Sequence, residues 1–297
     1  MKRALVTGGA GYIGSHLCQT LRRAGWWVMS VDLRSPTTRS NSDVGADLLD
    51  YANVEYLAGH GFDIIFHLAA LIDVEESQRE PELYRETNVT MTENILREFP
   101  DTPVVFASTA AVYAASDAPL TERMPVEPEN IYGATKLAAE EIVRRHGEHA
   151  VLRFFNVAGC SPGFVDNHPK ITHLVPRIIQ SKGAISIYGN DYLTHDGTCV
   201  RDFIHVQDIC DAFLASGERL LSKGTSLTAN LGSGRGYSVL EVSRAASRVL
   251  SDMGPPLFAP RRQGDAASLV ADITTARAEL DFAPKYSLEE MIASHRF

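Results

Sequence analysis

The sequence predicts an α/β fold: a doubly wound parallel sheet followed by a smaller C-terminal α/β domain. Three observations carry this. Through the first two thirds of the chain, short apolar runs alternate with helical patterns, the order that covers a parallel sheet with helices. The runs lack polar alternation, as strands buried on both faces do. A glycine-rich turn, Gly8-Gly9-Ala10-Gly11-Tyr12-Ile13-Gly14, joins the first run to the first helical pattern.

Strands are expected at Arg3–Thr7, Trp27–Asp32, Ile64–Leu68, Val104–Ser108 and Val151–Asn156, with a short one near Val44–Leu48. Helical spacing falls between them, at Ser15–Ala24 (closed by Gly25), Glu82–Glu98 and Ile131–Arg145. Arg34–Val44 is polar and reads as a loop. Beyond Asn156 the texture changes. Cys160–Lys170 reads as a loop, Thr172–Ser181 as a helix that must accept Pro176, and Ile185–Tyr188, Phe203–Val206 and Thr228–Leu231 as strands. Gln207–Leu221, Ser238–Leu250 and Leu288–Ser294 have helical spacing. The expected division is residues 1–156 plus about 205–232 as one domain, and about 157–204 plus 233–297 as the other.

A chain of 297 residues suits one large domain or two small ones. It is 44% hydrophobic and 22% charged, ordinary for a globular protein. The net charge of −9 argues against general nucleic-acid binding, so any phosphate must be held locally, by a few Arg residues and helix N-termini. No stretch approaches the ~20 apolar residues of a membrane span. The cysteines Cys18, Cys160, Cys199 and Cys210 show no metal spacing and read as reduced thiols in a cytoplasmic protein; no metal is expected.

The glycine turn contains G-x-G-x-x-G between a strand and a helix. Its glycines let the backbone approach a pyrophosphate, and the helix N-terminus offers unpaired N–H groups, the signature of a Rossmann-type domain. Asp32 closes the second strand, where a carboxylate accepts both adenosine ribose hydroxyls and repels a 2′-phosphate. The expected cofactor is NAD, although nearby Arg34 could accept a 2′-phosphate. Downstream, Tyr132 and Lys136 share one helix face. A phenol titrates near pH 10, and working as phenolate near neutrality requires roughly 4 kcal/mol of stabilisation, which a neighbouring ammonium and a positive nicotinamide ring are expected to supply. Thr109 ends the fourth major strand and is placed to aim a hydroxyl at the same region.

Thr7-Gly8-x-x-Gly11-x-x-Gly14, Leu68-Ala69-Ala70, Ser108-Thr109 and Tyr132-x-x-x-Lys136 resemble the extended short-chain dehydrogenase/reductases. Phe154-Phe155-Asn156, the run Asp196–Val206 and Arg261-Arg262-Gln263-Gly264-Asp265 resemble, within that group, the NAD-dependent nucleotide-sugar epimerases. The resemblance implies a catalytic trio of Thr109, Tyr132 and Lys136. It implies an NAD site lined by Gly8, Gly11, Tyr12, Ile13, Gly14, Asp32, Asp47, Leu48, Leu68, Ala69, Ala70, Asn88, Ser108, Tyr132, Lys136 and Phe155. Thr109, Asn156, Leu174, Arg201, Arg262 and Asp265 would hold a UDP-sugar, and Leu269 would stand beside its C2 substituent, in a C-terminal substrate-binding domain. A homodimer is implied by the resemblance alone.

The implied reaction is 4-epimerisation of a UDP-sugar of the UDP-glucose/UDP-galactose type. Epimerisation of UDP-glucuronate or a UDP-N-acetylhexosamine is an alternative. A 4,6-dehydratase needs an acid and a base after the strand-end Thr, and Ala110-Ala111 stand there. A decarboxylase shares the fold. A non-catalytic NAD-binding scaffold would have to lack the Tyr–Lys pair or its hydroxyl partner, and all three are present. The sequence departs from the resembling family at Ile72-Asp73-Val74-Glu75-Glu76-Ser77, where a Lys is usual.

Overall fold

A computed structural model describes residues 1–34, 40–116, 118–161, 164, 186–250, 254–262 and 266–295. In chain order the first elements are β1 (Arg3–Thr7), α1 (Tyr12–Arg23), β2 (Trp27–Asp32), β3 (Ser42–Gly45), α2 (Tyr51–Ala58) and β4 (Ile64–His67). Next come α3 (Val74–Arg79), α4 (Pro81–Arg85), a π-turn (Glu86–Thr90), α5 (Met91–Glu98), β5 (Val104–Thr109), a 3₁₀ turn (Ala110–Val112) and α6 (Ile131–Arg145). Then follow β6 (His149–Phe154), β7 (Asn156–Ala158), β8 (Ser186–Tyr188), β9 (Val200–His205), α7 (Val206–Lys223) and β10 (Leu227–Leu231). The chain closes with β11 (Gly236–Ser238), α8 (Val239–Val249), β12 (Leu257–Ala259), β13 (Ser268–Leu269), α9 (Thr274–Leu280) and α10 (Leu288–Ser294). Among the described residues, no helix is long and apolar enough to cross a membrane.

Two compact units emerge. The first comprises residues 1–112, 126–153 and 210–229, and the second residues 113–125, 154–209 and 230–297. The principal sheet has seven strands in the order β10-β6-β5-β4-β1-β2-β3. The pairings β1–β2, β1–β4, β2–β3 and β4–β5 are parallel. Its strands are apolar on both faces because both are covered: on one, Leu5, Ile65, Val104 and Phe106 pack with Met91, Ile95, Ala139 and Val143 of α5 and α6, and on the other the buried Phe66 meets Phe213 of α7. In the second unit β11-β9-β13, with β7 on β9, form a four-stranded sheet. Its core joins Ile187 and Phe203 to Val242, Ala246, Leu288 and Ile292.

Local chemistry sets the element boundaries that matter for the site. α6 starts where Asn130 accepts the Gly133 N–H at 2.8 Å, an N-cap that satisfies one orphan donor. Gly133 is needed for close packing: a Cβ there would collide with the Ala111 carbonyl. α10 carries a capping box, Ser287 with Glu290.

Several expected boundaries shift by a few residues, with α1 starting at Tyr12, β3 at Ser42–Gly45 and β4 ending at His67; two further corrections change an element. The run expected as one strand over Val151–Asn156 breaks at Phe155, whose N–H bonds Leu231 O at 3.0 Å. The chain then continues as β7 in the second sheet. The helix expected over Glu82–Glu98 begins with Pro81 at its first turn and widens into the π-turn before α5. The helix expected at Thr172–Ser181, with its Pro176, lies outside the described residues.

Candidate active site

From β1 the sheet grows through β2 to β3, then resumes on the other side of β1 with β4. The loops leaving β1 and β4 therefore part, and a crevice opens at the carboxyl ends of these two strands. The glycine turn follows β1. Gly8 adopts φ 70 and its N–H bonds Val31 O at 2.8 Å, while Gly11 N–H closes on Gly8 O at 2.9 Å. A Cβ at Gly14 would strike that same Gly8 carbonyl. α1 then starts with no side-chain cap and no acidic residue in its first turn. This cradle fits a pyrophosphate: close backbone, and open N–H groups in a first helical turn that carries no acidic residue. Tyr12 and Gly14 are buried in that first turn, and Ile13 is half-buried.

Asp32 stands at the rim. Its carboxylate accepts the Ala10 N–H at 3.1 Å, the Arg34 N–H at 3.0 Å and the Arg34 Nε at 3.2 Å. Arg34 is thus paired to the acid that disfavours a 2′-phosphate. Asp47 caps the next turn, accepting Leu49 N–H at 2.9 Å, and Leu48 is a core residue at 3% exposure.

The wall after β4 is held by a buried hydrogen-bond chain whose direction is fixed. The Thr92 hydroxyl donates to Asn88 O at 2.8 Å, so it accepts from His67 Nε2–H at 2.9 Å. His67 Nδ1 then accepts the Thr7 hydroxyl at 2.7 Å. Thr7 Oγ1 in turn accepts the Leu68 and Ala69 N–H groups, both at 3.1 Å. The strand-end segment Leu68-Ala69-Ala70 is thereby pinned to the end of β1. Burial, with the Lys136 charge adding to it, holds the His67 imidazole neutral, its pKa down at about 3. Asn88 sits in the π-turn. Its side-chain oxygen accepts Leu71 N–H at 2.8 Å, and its amide donates to Leu71 O at 3.0 Å and Thr135 Oγ1 at 3.1 Å. It shapes this wall through Leu71 and ties it to α6.

Tyr132 and Lys136 project from one face of α6, both buried. The Tyr132 N–H donates to Ser77 Oγ at 3.2 Å. Thr109 at the end of β5 accepts Ala111 N–H at 3.2 Å, and its side chain pulls the Tyr132 phenol toward ionisation. The Lys136 ammonium lies 4.1 Å from the centre of the Phe106 ring. Burial pushes the Tyr132 phenol up to about 12, against the pull of Thr109. Burial likewise pushes Lys136 down to about 7, against the pull of Glu140. Dry surroundings penalise both charged forms, so Lys136 does not bring the phenol near neutrality by itself, and the expected second positive charge is required.

Sequence reasoning missed the group next to this pair. Glu140, one turn beyond Lys136, is wholly buried and accepts Arg153 Nε at 2.9 Å, Arg153 Nη2 at 2.6 Å and Arg144 Nη2 at 2.7 Å. The Ser108 hydroxyl also goes to Glu140, so this residue, expected in the NAD site, turns its side chain to the carboxylate. A carboxylate four residues after the Lys was the only sequence signal. His67 carried none beyond closing a strand.

In the second unit, Phe155 is buried and Asn156 opens β7 opposite Phe203 of β9. Arg201 in β9 donates Nη1 to Val200 O at 2.9 Å and Ala266 O at 2.8 Å. Leu269 is its register partner in β13. The Arg262 guanidinium stacks 3.7 Å from the centre of the Tyr188 ring. Leu174 and Asp265 lie outside the described residues.

A family model described as "NAD dependent epimerase/dehydratase family" matches residues 4–232. A UDP-glucose 4-epimerase of Azospirillum brasilense is 40% identical, over 96% of this chain and 88% of its own. A UDP-glucose 4-epimerase of Stenotrophomonas maltophila, solved with NAD and formylated UDP-arabinopyranose, superposes with a TM-score of 0.92 at 34% identity, covering 99% of this chain and 96% of that one. A UDP-glucose 4-epimerase of Bifidobacterium longum, in complex with NAD+ and UDP, gives 0.92 at 33% identity, with 99% and 96% covered.

The neutral His67 makes stability depend on pH. Its pKa is about 3 in the fold and about 6.5 in the unfolded chain. Below pH 6.5 the unfolded chain binds a proton that the folded chain does not. This contribution is therefore present above pH 6.5 and is lost as the pH falls toward 3. Denaturant unfolding at pH 7.0 and 5.5 should show about 1 kcal/mol more loss in the wild type than in His67→Gln; equal losses would contradict the assignment.

Proposed function

The chain belongs to the NAD-dependent epimerase/dehydratase family, and from that premise we propose that it is an NAD-dependent 4-epimerase of a UDP-sugar of the UDP-glucose/UDP-galactose type. The observation that carries this reading is the convergence of Thr109, Tyr132 and Lys136, with Ala110-Ala111 after Thr109 where a dehydratase needs proton-transfer groups.

NAD+ fits the glycine cradle and, when bound, supplies a hydride acceptor for the sugar C4 and a positive ring charge. Asp32 would accept the ribose hydroxyls, and the first-turn N–H groups of α1 would hold the pyrophosphate. Lys136 stabilises Tyr132 as phenolate. The Tyr132 oxygen takes the proton of the sugar 4-hydroxyl, with Thr109 bonded to that oxygen, and gives it back when the 4-keto carbon is reduced from its other face. Ala110 and Ala111, which follow Thr109, transfer no protons, so the product keeps its C6 oxygen.

Asn156, Leu174, Arg201, Arg262 and Asp265 of the second unit are assigned to the UDP part. Two planar guanidinium forks suit a diphosphate, and the stack on Tyr188 fixes the plane of Arg262. Leu269 is assigned to the sugar C2 substituent, where its size would admit an N-acetyl group less readily than a smaller residue. Phe155 is kept as a cofactor contact by resemblance. The same resemblance assigns a homodimer, and four buried free cysteines suit the cytoplasm.

Proton NMR of UDP-glucose incubated with the protein, with no cofactor added, should show UDP-galactose forming to equilibrium. Tyr132→Phe should abolish turnover while nucleotide-sugar binding persists. Leu269→Tyr should suppress UDP-N-acetylglucosamine turnover relative to UDP-glucose by about 10- to 100-fold. A 4-keto-6-deoxy sugar as main product, or near-normal turnover by Tyr132→Phe, would overturn this function; equal effects of Leu269→Tyr on both sugars would remove Leu269 from the substrate site.

A further inference from the structure

Four hydrogen-bond donors on three side chains, from three elements, converge on one buried carboxylate outside the catalytic trio. Arg153 of β6 grips both oxygens of Glu140 with a fork, Arg144 adds a third N–H, and the Ser108 hydroxyl of β5 adds a fourth donor. Glu140, Arg153 and Ser108 are at most 2% exposed. A buried ion pair adds little net stability over an apolar replacement, so the arrangement is read through what it touches. Ser108 immediately precedes Thr109 in β5. Glu140 lies one turn from Lys136 and on the same face of α6.

We propose that Glu140 is a positioning residue for the catalytic pair: through Ser108 it holds the Thr109 end of β5 against α6, and its charge keeps the Lys136 side chain an ammonium. The proposal rests on reading Tyr132 and Lys136 as that pair.

The surroundings of Lys136 leave this task to Glu140 among the described residues. From β4 it meets His67, which is neutral. β5 presents the Phe106 ring, and the π-turn presents the amide of Asn88 to Thr135. On α6 itself Tyr132 carries no charge until it loses its proton. The charged groups of the other packed helices face elsewhere. Glu76 of α3 accepts the Tyr84 hydroxyl at 3.0 Å, and Arg85 of α4 pairs with Glu82. Glu86 and Glu93 are exposed, and Glu98 and Arg97 of α5 meet Tyr51. Arg153 and Arg144 are held on the carboxylate itself. The neighbouring anion favours the charged form of Lys136, so removing it makes the ammonium lose its proton at lower pH.

The test is the pH profile of kcat and KM for UDP-glucose, measured on the NAD-loaded protein. Glu140→Gln keeps the shape and the Ser108 acceptor and removes the charge. Its alkaline loss of kcat should begin about one to two pH units below that of the wild type, with KM changed less than about threefold. Because Glu140→Gln leaves Arg153 charged and buried, Glu140→Gln with Arg153→Met is the second variant, and a displacement in the same direction but smaller is expected, since a neighbouring cation goes with the anion. Ser108→Ala should lower kcat about tenfold with the alkaline limb unmoved. A folded variant lacking the Glu140 charge that keeps the wild-type profile, with only its melting temperature lowered, would overturn the charge assignment. Unchanged kcat in Ser108→Ala would overturn the strand tie. Tyr132→Phe is run alongside. Activity there would sink the catalytic reading itself, whereas an inactive Tyr132→Phe beside an unmoved profile sinks this proposal alone.

Discussion

The Thr7–His67 hydrogen bond, 2.7 Å long and fully buried, joins β1 to β4 at the point where the strand order reverses. Parallel sheets open there because consecutive loops leave in opposite directions. That opening gives a ligand access, and it also removes the neighbouring loops that would brace each strand end. The side chains of Thr7, His67 and Thr92 supply the missing brace. They fix Leu68 and Ala69 against the glycine turn so closely that a Cβ on Gly8 would lie 2.7 Å from the Ala69 nitrogen. The cradle for a pyrophosphate and the wall opposite it are therefore one rigid unit, and both depend on a histidine that stays uncharged.

The same dryness that strengthens these bonds works against the chemistry. Tyr132 and Lys136 are both wanted in their charged forms, and burial opposes both, to about 12 and about 7. The fold answers with placed charge and not with solvent. Glu140 supports the ammonium, Thr109 supports the phenolate, and the cofactor ring adds a positive charge when it is bound. On the proposed reading the added cofactor charge is what the phenol needs, because burial alone leaves it too little stabilisation to ionise near neutral pH.

Much of this was legible in the sequence, where local chemistry decides the structure. Helical spacing alone gives α6 the expected limits of Ile131 and Arg145 and places α10 at Leu288–Ser294, and in the structure the caps Asn130 and Ser287 with Glu290 hold those same limits. The glycine turn, Asp32 and the Tyr132–Lys136 spacing are short-range patterns with a physical purpose, so they could be read directly. Other features were hidden because they depend on partners far along the chain. β13 is two residues long and exists through its pairing with β9. The break at Phe155 depends on Leu231. Glu140 looks like a solvent-facing helix residue until Arg153 and Ser108 are folded against it, and Asn88 gives no sign of the π-turn that turns its amide toward Leu71.

The central claim is that C4 is oxidised and reduced again without exchanging its hydrogen with water, while Tyr132 handles only the hydroxyl proton. Its most direct test is UDP-glucose carrying deuterium at C4, incubated in ordinary water with the NAD-loaded protein and followed by NMR and mass spectrometry. The account predicts that UDP-galactose forms with the deuterium retained at C4. Replacement of that deuterium by solvent hydrogen during epimerisation would contradict it.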